Sequence, residues 1–368
     1  MRLEDICTVF TDGDWIESKD QSESGIRLVQ TGNIGEGRYL EKEARAKYIS
    51  EETFYKLKCT EIFPGDILVS RLPEPVGRAC IVPEKTERMI TAVDCTICRP
   101  NESLISKEYL CYFMRSNAYY TRLLGNVTGT TRKRISRKNL GSVELQIPTK
   151  DEQKIVVERL DCLVKAIDSR TKELQLLDEL IKARFVELFG DPRSNPFGFE
   201  KKMLKDTCKV ITGNTPSRAI AEYYGDYIEW IKTDNIVSGI LNPTQATESL
   251  SEKGMNVGRT VEKDSILMAC IAGSIASIGR VCITDRIVAF NQQINAVVPE
   301  QYNILFLYVL LQMSKDYLVE DINMALKGIL SKSKLEEKEF IIPPMDLQEQ
   351  FSDFVKQVNK SKFINQLL

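Results

Sequence analysis

The feature that most constrains the fold of this chain is an internal repeat. Residues 3–9 (LEDICTV) resemble residues 204–210 (LKDTCKV), an offset of 201 positions. Later matches follow in the same order: Thr31–Ile34 with Thr233–Ile236, Gly77–Ile81 with Gly279–Ile283, Ile135–Leu140 with Leu330–Leu335, and Ile147–Gln153 with Ile342–Gln348. Because the order is kept while the offset drifts slowly from 202 to 195, the chain is a duplication of a unit of about 200 residues.

Each copy begins with a stretch that predicts a mixed globular domain, at residues 1–148 and 193–343. Short apolar runs bounded by turn residues predict its strands, and a longer apolar stretch predicts one helix. The strands are expected at Ile26–Gln30, Asp66–Ser70, Arg78–Val82, Ile90–Cys98, Val143–Ile147, Tyr227–Ile231, Ser265–Ile271, Arg280–Ile283 and Ile287–Val298, and the helices at Lys107–Leu124 and Ile304–Val319.

Between the domains, residues 149–192 predict a helix over Asp151–Phe189, which Gly190 and Pro192 end. Its apolar residues follow a near-heptad seam: Val156, Leu160, Leu163, Ile167, Leu174, Leu177, Ile181 and Leu188, with Arg170 and Arg184 on the same seam. A helix of about 58 Å cannot bury such a seam against one small domain. The alternative, a core helix of a larger domain, is disfavoured by the sustained heptad and the flanking prolines.

The C-terminal residues 344–368 begin a matching helix at Leu347, Phe351, Phe354 and Val358, about 22 residues long. The predicted fold class is therefore α+β: two similar mixed α/β domains separated by long helices that pack as an antiparallel coiled coil, with a pseudo-two-fold repeat. The shorter partner should leave the seam around Leu177–Leu188 uncovered. That stripe would need another chain or self-association.

The amino-acid composition excludes several kinds of catalytic and metal site. The chain has no histidine, so Ser-His-Asp and Cys-His nucleophile pairs and histidine-bound zinc are excluded. The start of the chain lacks the layout of a signal peptide, and no apolar run is long enough to span a membrane. We therefore expect a cytoplasmic protein whose ten cysteines are mostly reduced. The pair Cys95 and Cys98 is more typical of buried thiols than of metal ligands, and we expect no metal.

Two similar modules on a rigid spacer suit a DNA duplex, whose readers contact two half-sites about one helical turn apart. Since the copies differ in sequence, they would read two different half-sites of an asymmetric, bipartite target. Candidate phosphate-binding residues cluster before a predicted helix start in each copy: Arg132, Lys133, Arg134, Arg137 and Lys138 in the first, and Lys327, Lys332 and Lys334 in the second. A solvated helix start explains these charges equally well.

Other candidates come from single positions. Asn291, Gln292 and Gln293, expected on a strand, suit adenine edges, but a structural polar cluster is as good an explanation. Arg71, Arg78 and Arg280 are further candidates. Gly77-Arg78 and Gly279-Arg280 recur in both copies, which favours structural or phosphate-binding roles over base reading. Thr31 and Asn33, with Thr233 and Asn235, recur too and are interpreted as turn formers.

The order of several segments resembles the DNA-specificity subunit of type I restriction-modification systems. The segments are Gly213–Ser217 (GNTPS), Glu222–Tyr224 (EYY), Ile228–Ile231 (IEWI), Ile266 to Gly279-Arg280 with Asn291-Gln292, and Ile341–Gln348 (IIPPMDLQ). Leu188–Pro192 (LFGDP) with Asn195-Pro196 is also typical of this family. The resemblance covers the whole chain, and it rests on the order, spacing and repetition of these motifs.

The resemblance implies that each globular part is a target recognition domain that reads half of a split double-stranded DNA sequence. It implies two methyltransferase subunits docked on the helices, joined by restriction and translocase subunits. S-adenosylmethionine, ATP and Mg would be bound by those partners and none by this chain. The short C-terminal helix departs from the family pattern.

Two alternatives to a DNA-recognition subunit are considered for the function of this chain. A stand-alone DNA methyltransferase or nuclease would need catalytic motifs. The nearest strings to an Asp/Asn-Pro-Pro-aromatic loop, Asn195-Pro196-Phe197 and Asp191-Pro192-Arg193, each have a single proline, and no phosphate-binding GxxxxGK[ST] motif is present. A non-catalytic coiled-coil scaffold is the other. We expect no catalytic residue in this chain.

Overall fold

The protein is described here by a computed structural model, which covers residues 1–72, 75–129, 133–320, 322 and 328–367. The chain forms two compact units, Met1–Asp168 and Ser169–Leu368. In the described part of the chain, no helix is both long and apolar enough to cross a membrane.

In its described residues, the first unit contains two four-stranded sheets and four short α-helices. Its strands are β1 (Cys7–Asp12), β2 (Ile26–Val29), β3 (Tyr48–Ile49), β4 (Glu61–Ile62), β5 (Ile67–Ser70), β6 (Ala79–Ile81), β7 (Met89–Thr91) and β8 (Cys95–Pro100). Its helices are α1 (Glu51–Leu57), α2 (Lys107–Phe113), α3 (Asn117–Leu124) and α4 (Arg137–Gly141), followed by the start of α5 (Lys150–Phe189). One sheet has the order β1-β8-β5-β6 and is antiparallel; the other has the order β3-β2-β7-β4, in which β2 and β7 are parallel.

The second unit repeats this topology. Its strands are β9 (Glu200–Met203), β10 (Cys208–Thr212), β11 (Tyr224–Gly225), β12 (Ile228–Ile231), β13 (Ser249–Leu250), β14 (Thr260–Val261), β15 (Ile266–Ala269), β16 (Ile271–Ala272), β17 (Val281–Ile283), β18 (Val288–Phe290), β19 (Ile294–Pro299), β20 (Gly328–Ile329) and β21 (Glu339–Ile342). Its helices are α6 (Glu252–Val257), α7 (Ile304–Met313), α8 (Lys315–Val319), α9 (Lys332–Glu336) and α10 (Met345–Leu367).

The sheet orders show the duplication directly. The antiparallel sheet β10-β19-β15-β17 matches β1-β8-β5-β6, and β13-β12-β18-β14 matches β3-β2-β7-β4. The parallel pair also recurs, as β12 with β18. The predicted mixed fold with an internal repeat and a long central helix is therefore confirmed.

An inner strand of each antiparallel sheet, β5 or β15, is buried on both faces. In β5, Ile67 and Val69 join the cluster under the helices, whereas Leu68 joins the cluster between the sheets. In β15, Ile266 and Met268 face one cluster while Leu267 faces the other. This alternation follows from the two-residue period of a strand. The antiparallel sheet of each unit therefore lies between a layer of helices and the other sheet of that unit.

A buried glutamine attaches each long helix to its own domain. Gln153 donates to the carbonyls of Leu104 (2.9 Å) and Pro148 (3.0 Å) and accepts from the amide of Ser106 (2.8 Å). Gln348 donates to Pro343 (2.8 Å) and accepts from the amide of Asn303 (3.0 Å). Both side chains are about 1% exposed. The repeated Ile-Pro and Asp-x-Gln motifs are therefore the attachment points of the helices.

The helix α5 is 40 residues long, about 60 Å, and agrees with the prediction to within one residue. A capping box begins it: Thr149 and Glu152 accept hydrogen bonds from each other's backbone amides. Gly190 ends it with a φ of 70°, and its amide donates to Val186 (2.8 Å). These are the end signals that the sequence contains.

Within the second unit, α10 packs antiparallel to the last part of α5. Phe351 contacts Phe185 and Phe189, with ring centroids 5.6 and 5.5 Å apart, and further along Lys362 pairs with Asp178. Residue numbers rise along α5 as they fall along α10. Phe185, Phe189 and Phe351 are fully buried, as are Val355 and Val358. The predicted antiparallel packing of the two helices is present here.

The prediction that Leu177–Leu188 lies uncovered is wrong. Ile181 is buried, and Leu177 and Leu188 pack against the second unit's core. Since α10 starts beside the C-terminal end of α5, the exposed seam residues lie earlier along the helix: Val156, Leu163 and Ile167 are 37%, 59% and 63% exposed. Off the seam, Ile155, Leu176, Leu180 and Val186 are also exposed. Of the other seam residues, Leu160, Leu174 and Phe354 are half-buried.

Other corrections concern element boundaries. The run Ile90–Cys98 is two strands, β7 and β8, and the run Ile287–Val298 is likewise β18 and β19. The residues Ala92–Asp94 and Asn291–Gln293 form the connecting turns, so the amides of the second turn are not on a strand. Each predicted domain helix is two helices, α2 with α3 and α7 with α8. Val143–Ile147 forms no strand, only a bridge of Glu144 with Arg2.

The cysteines are free thiols. Cys95 and Cys98 are buried in β8, and burial raises the pKa of Cys95 to about 12. Cys162, on α5, is exposed. Within the residues that the structure describes, no group of three or more potential ligands could hold a metal ion.

The packing of α10 on α5 makes a stability prediction. Phe351→Ala should lower the free energy of unfolding by about 3–5 kcal/mol, because a fully buried aromatic side chain leaves a cavity. Urea unfolding followed by circular dichroism measures this. Phe363→Ala is the matched control, since Phe363 is on the same helix and 60% exposed; its effect should stay within about 0.5 kcal/mol. Equal effects of the two changes would contradict the packing described.

Candidate nucleic-acid interface

The same three segments meet at one place in each copy. In the first unit, the glycine loop (Gly13-Asp14-Trp15) follows β1, the turn Ala92–Asp94 lies between β7 and β8, and Arg71 follows β5. The amide of Gly13 donates to Cys95 (2.9 Å), that of Asp14 to Thr91 (2.8 Å), and that of Arg71 to Asp94 (2.9 Å). These backbone bonds fasten the loop and the turn together.

The second unit repeats these bonds. The glycine loop there is Gly213-Asn214-Thr215, the turn is Asn291-Gln292-Gln293, and Cys270 takes the place of Arg71. Gly213 donates to Ile294 (3.0 Å), Asn214 to Phe290 (3.2 Å) and Cys270 to Gln293 (2.8 Å). We call each assembly of glycine loop and turn a paired-loop surface.

The two glycines are required for the close approach. A Cβ on Gly13 would lie 2.3 Å from the carbonyl oxygen of Thr91, and one on Gly213 would lie 2.2 Å from that of Asn291. Real Cβ atoms do not come so close to backbone oxygens, so any larger residue would separate the loop from the turn. The backbone of the surface is thus fixed in both copies, while its side chains differ.

In the first unit, charged residues surround the paired-loop surface. Arg134 pairs with Asp94 of the turn (3.3 Å), and Arg137 at the start of α4 lies 3.8 Å from Asp12 at the end of β1. Lys133, Arg134 and Lys138 are exposed, and no carboxylate in the described residues lies within ion-pair distance of Lys138. Arg132 lies outside the described residues. The predicted basic cluster therefore borders this surface with cations accessible to a phosphate.

Arg71 is placed differently. It is 4% exposed, its guanidinium donates to the carbonyl of Val93 (2.5 Å), and it lies 3.3 Å from Asp12. It supports the turn from below and does not present its charge to solvent. This geometry gives Arg71 a structural role.

Arg78 and Arg280 have equivalent structural contacts. Arg78 donates to the carbonyls of Ile34 (2.7 Å) and Thr31 (2.8 Å), and Arg280 donates to that of Thr233 (3.2 Å). The short helical turns that they contact are closed by Asn33 and Asn235, which accept from the amides of Gln30 and Lys232 (3.0 Å each). The recurring residues thus form turns and hold them, as recurrence suggested.

In the second unit, amide side chains occupy the turn. Gln292 is exposed, and its side-chain oxygen accepts a hydrogen bond from the hydroxyl of Thr215 in the glycine loop. Asn291 is buried at 6% exposure and closes the turn by accepting from the amide of Gln293 (3.1 Å). Gln293 is half-buried. Gln292 is therefore the member of the predicted trio that is accessible to a base edge.

Two of the predicted cations of the second unit, Lys332 and Lys334, lie in α9. Lys332 and Lys334 are exposed, and Lys332 lies 3.5 Å from Glu336 one turn along the helix. Lys327 lies outside the described residues. The structure does not place these lysines in the paired-loop surface.

An aromatic and cationic cluster beside the second glycine loop was not found from the sequence. Arg218 lies over the rings of Tyr224 (4.5 Å) and Trp230 (5.3 Å), and Trp230 donates to the carbonyl of Asn214 (3.3 Å). Glu248 accepts from Lys232 and Arg218 (2.6 Å each), and these bonds lower the pKa of Glu248. The cluster connects the motifs around Asn214, Tyr224 and Trp230, which the sequence shows only as separate strings.

Known proteins resemble the chain in sequence. The type I restriction enzyme HindI specificity subunit of Haemophilus influenzae is 22% identical over 363 residues, which covers 78% of this chain and 77% of that protein. The type I restriction enzyme MjaIX specificity subunit of Methanocaldococcus jannaschii is 24% identical over 332 residues, which covers 83% of this chain and 73% of that protein.

A solved structure has the same fold. The S subunit of the type I restriction-modification system of M. genitalium superposes with a TM-score of 0.57 at 13% identity, covering 100% of this chain and 90% of that one. The sequence also matches, once in each copy, the family described as the type I restriction modification DNA specificity domain, over residues 1–179 and 196–368. The chain belongs to the type I restriction-modification DNA specificity family.

Proposed function

We propose that this chain is the sequence-specific double-stranded DNA-binding subunit of a type I restriction-modification enzyme, and that each unit reads one half of an asymmetric, bipartite target. The observation that carries the proposal is the paired-loop surface, whose backbone bonds recur in both copies while its exposed side chains differ. A shared scaffold with different side chains is what two readers of different half-sites require.

In this proposal, some exposed side chains of the chain contact DNA phosphates and others contact base edges. Lys133, Arg134 and Lys138 of the first unit are exposed cations suited to phosphate oxygens, as are Lys332 and Lys334 of the second. Arg132 and Lys327, outside the described residues, stay predictions of the same kind. Gln292 is suited to an adenine edge, where one amide both donates and accepts. Arg71 and Asn291 support this surface from within, whereas Arg78 and Arg280 hold the short helical turns at Thr31–Asn33 and Thr233–Asn235. Gln293 is the half-buried member of the second turn.

The helices supply the partner-binding surface. The uncovered apolar residues of α5, Leu163 and Ile167 among them, suit a helical face of another chain. We assign this face to two methyltransferase subunits, to which restriction and translocase subunits are added; self-association is the other occupant. S-adenosylmethionine, ATP and Mg belong to those subunits, and this chain directs them to the target without catalysing a reaction.

A domain exchange tests the bipartite reading. Replacing residues 1–148 by the corresponding domain of a relative should change one half of the methylated sequence and leave the other half and the spacing unchanged, because each unit has its own surface. Sequencing of methylated DNA from cells that contain the complete enzyme measures this. The reciprocal exchange of residues 193–343 is the control. A change in both halves, or in neither, would refute the assignment.

Neutralisation of the basic cluster tests the phosphate contacts. The triple change Lys133→Ala, Arg134→Ala and Lys138→Ala should weaken binding to all duplexes and reduce the slope of log K against log salt by up to about 0.9 per lost contact. Fluorescence anisotropy with a labelled duplex at several salt concentrations measures the slope. The control replaces three exposed lysines of α5, Lys154, Lys165 and Lys172, by alanine and should leave the slope unchanged. Identical slopes for the two triple variants would count against phosphate contact at the cluster.

The turn Asn291–Gln293 leads to a separate prediction. Gln292→Leu should lower discrimination at one position of the second half-site by about 1–3 kcal/mol, because an adenine contact is lost. Thr215→Val removes the hydroxyl that orients Gln292 and should have a smaller effect at the same position. Binding competitions with duplexes altered at single positions measure both. If discrimination falls equally at every position, Gln292 does not read a base.

A further inference from the structure

The two tryptophans of the chain lie in opposite environments. Trp230 is 3% exposed, whereas Trp15 in the first glycine loop is 70% exposed. An indole offers a large apolar area for contact, and most tryptophans in folded proteins bury it. Because Trp15 gives little of this area to the first unit, its role lies outside the folding of that unit.

Trp15 is held in place from both sides. The carboxylate of Asp14 accepts a hydrogen bond from the amide of Thr60 (2.8 Å), and Ile16 packs against the buried cluster of Ile26, Leu28, Ile49, Cys59 and Ile90. The indole N–H donates to Glu17 at 3.4 Å. The residues before and after Trp15 are therefore anchored, and the exposed ring stands on an ordered backbone.

Its position is within the paired-loop surface. The carbonyl of Asp14 accepts from the amide of Val93 (2.9 Å), so the residue before Trp15 is bonded to the turn Ala92–Asp94. The next turn residue, Asp94, pairs with Arg134. In a duplex the base faces are stacked on one another, so an exposed ring can contact base edges in a groove while neighbouring cations contact phosphates.

The second copy supplies an independent comparison. The close-contact glycines Gly13 and Gly213 are equivalent, so Trp15 occupies the position of Thr215. Thr215 bonds to Gln292, the exposed amide of the second turn. At one scaffold position, one copy has a hydroxyl that orients a hydrogen-bonding side chain, and the other has a large apolar ring.

We infer that Trp15 contacts the bases of the half-site read by the first unit and is a specificity-determining residue. The ring provides apolar contact, as with a thymine methyl group in the major groove, where the second unit provides hydrogen bonds. The inference rests on the proposed function, since it needs duplex DNA at this surface. It predicts that the two half-sites are discriminated by different chemistry.

Intrinsic fluorescence tests the inference on the full chain. Trp230 is buried beside the second glycine loop, so its own response is measured in Trp15→Phe, where it is the only tryptophan. Addition of a duplex that contains the methylated target should quench or shift the emission of the unaltered chain by more than it changes that of Trp15→Phe. Anisotropy of a labelled duplex, recorded in parallel, reports binding itself.

Affinity measurements complete the test. Trp15→Ala should weaken binding to the target about tenfold while leaving binding to a duplex altered in the first half-site nearly unchanged. Trp15→Phe should recover part of the loss because an aromatic ring remains. Discrimination in the second half-site should be the same in all three proteins.

The outcomes separate the inference from the proposed function. Binding by anisotropy with no change in Trp15 emission overturns the inference and leaves the proposed function standing. Absence of specific DNA binding by the unaltered chain, alone and with its modification subunits, refutes the proposed function. Equal weakening by Trp15→Ala on all duplexes overturns base reading in favour of a backbone contact. Weaker recovery of modification subunits with Trp15→Ala, without a change in DNA binding, overturns the inference in favour of a protein contact.

Discussion

The hydrogen bonds of two buried glutamines are the constraint on which the helical part of this molecule depends. Gln153 and Gln348 each use both ends of the amide to hold carbonyl and N–H groups that have no partner in a helix or sheet. A buried backbone group without a partner costs about 1–3 kcal/mol, so loss of one amide leaves several unsatisfied groups at once. The glutamine therefore fixes where the helix leaves its domain. The glutamine thereby sets which residues of α5 and α10 face each neighbouring element.

The duplication separates scaffold from specificity. Contacts that recur in both copies, such as those of Arg78 and Arg280 with the short helical turns, stabilise the fold that the copies share. Positions that differ between the copies on the same backbone, such as Trp15 and Thr215, are free to change without loss of the fold. A chain with two copies thus contains its own comparison. Recurrence identifies structural residues, and difference on a shared backbone identifies candidates for recognition.

The fold could be predicted from the sequence to the extent that its signals are local or repeated. The bounds of α5 follow from the Thr149–Glu152 capping box and from Gly190, and the repeat implied one topology for both domains. The turns that divide Ile90–Cys98 and Ile287–Val298 between two sheets could not be predicted, because Ala92–Asp94 and Asn291–Gln293 contain neither glycine nor proline. Val143–Ile147 has the alternation of a strand, but the structure offers it no partner beyond one bridge. Alternation predicts which side chains share one face of a strand, but it does not show whether another strand is available to pair with it.

The candidate site was predicted in part for the same reason. The cluster at Lys133, Arg134 and Lys138 was visible as a charge run, and Gln292 as part of an amide run. Trp15 was missed because a single exposed aromatic residue has no pattern. Its signal is the equivalence of Gly13 and Gly213, which appears only once both glycines are found against carbonyl oxygens. Burial of Arg71 and Asn291 could not be predicted, since charge and polarity usually mark exposed residues.

The direction of the helix pair decides which part of the seam stays open. Because α10 runs antiparallel from Phe351 beside Phe189 to Lys362 beside Asp178, its 23 residues cover only the last part of α5. The seam continues beyond this cover through Leu163 and Ile167 without a change in spacing. Burial of each such side chain is worth about 1.5–3 kcal/mol, and several in one row suffice to hold another helix in a defined register. The direction of α10 thus leaves exposed the seam residues to which we assign the partner contact.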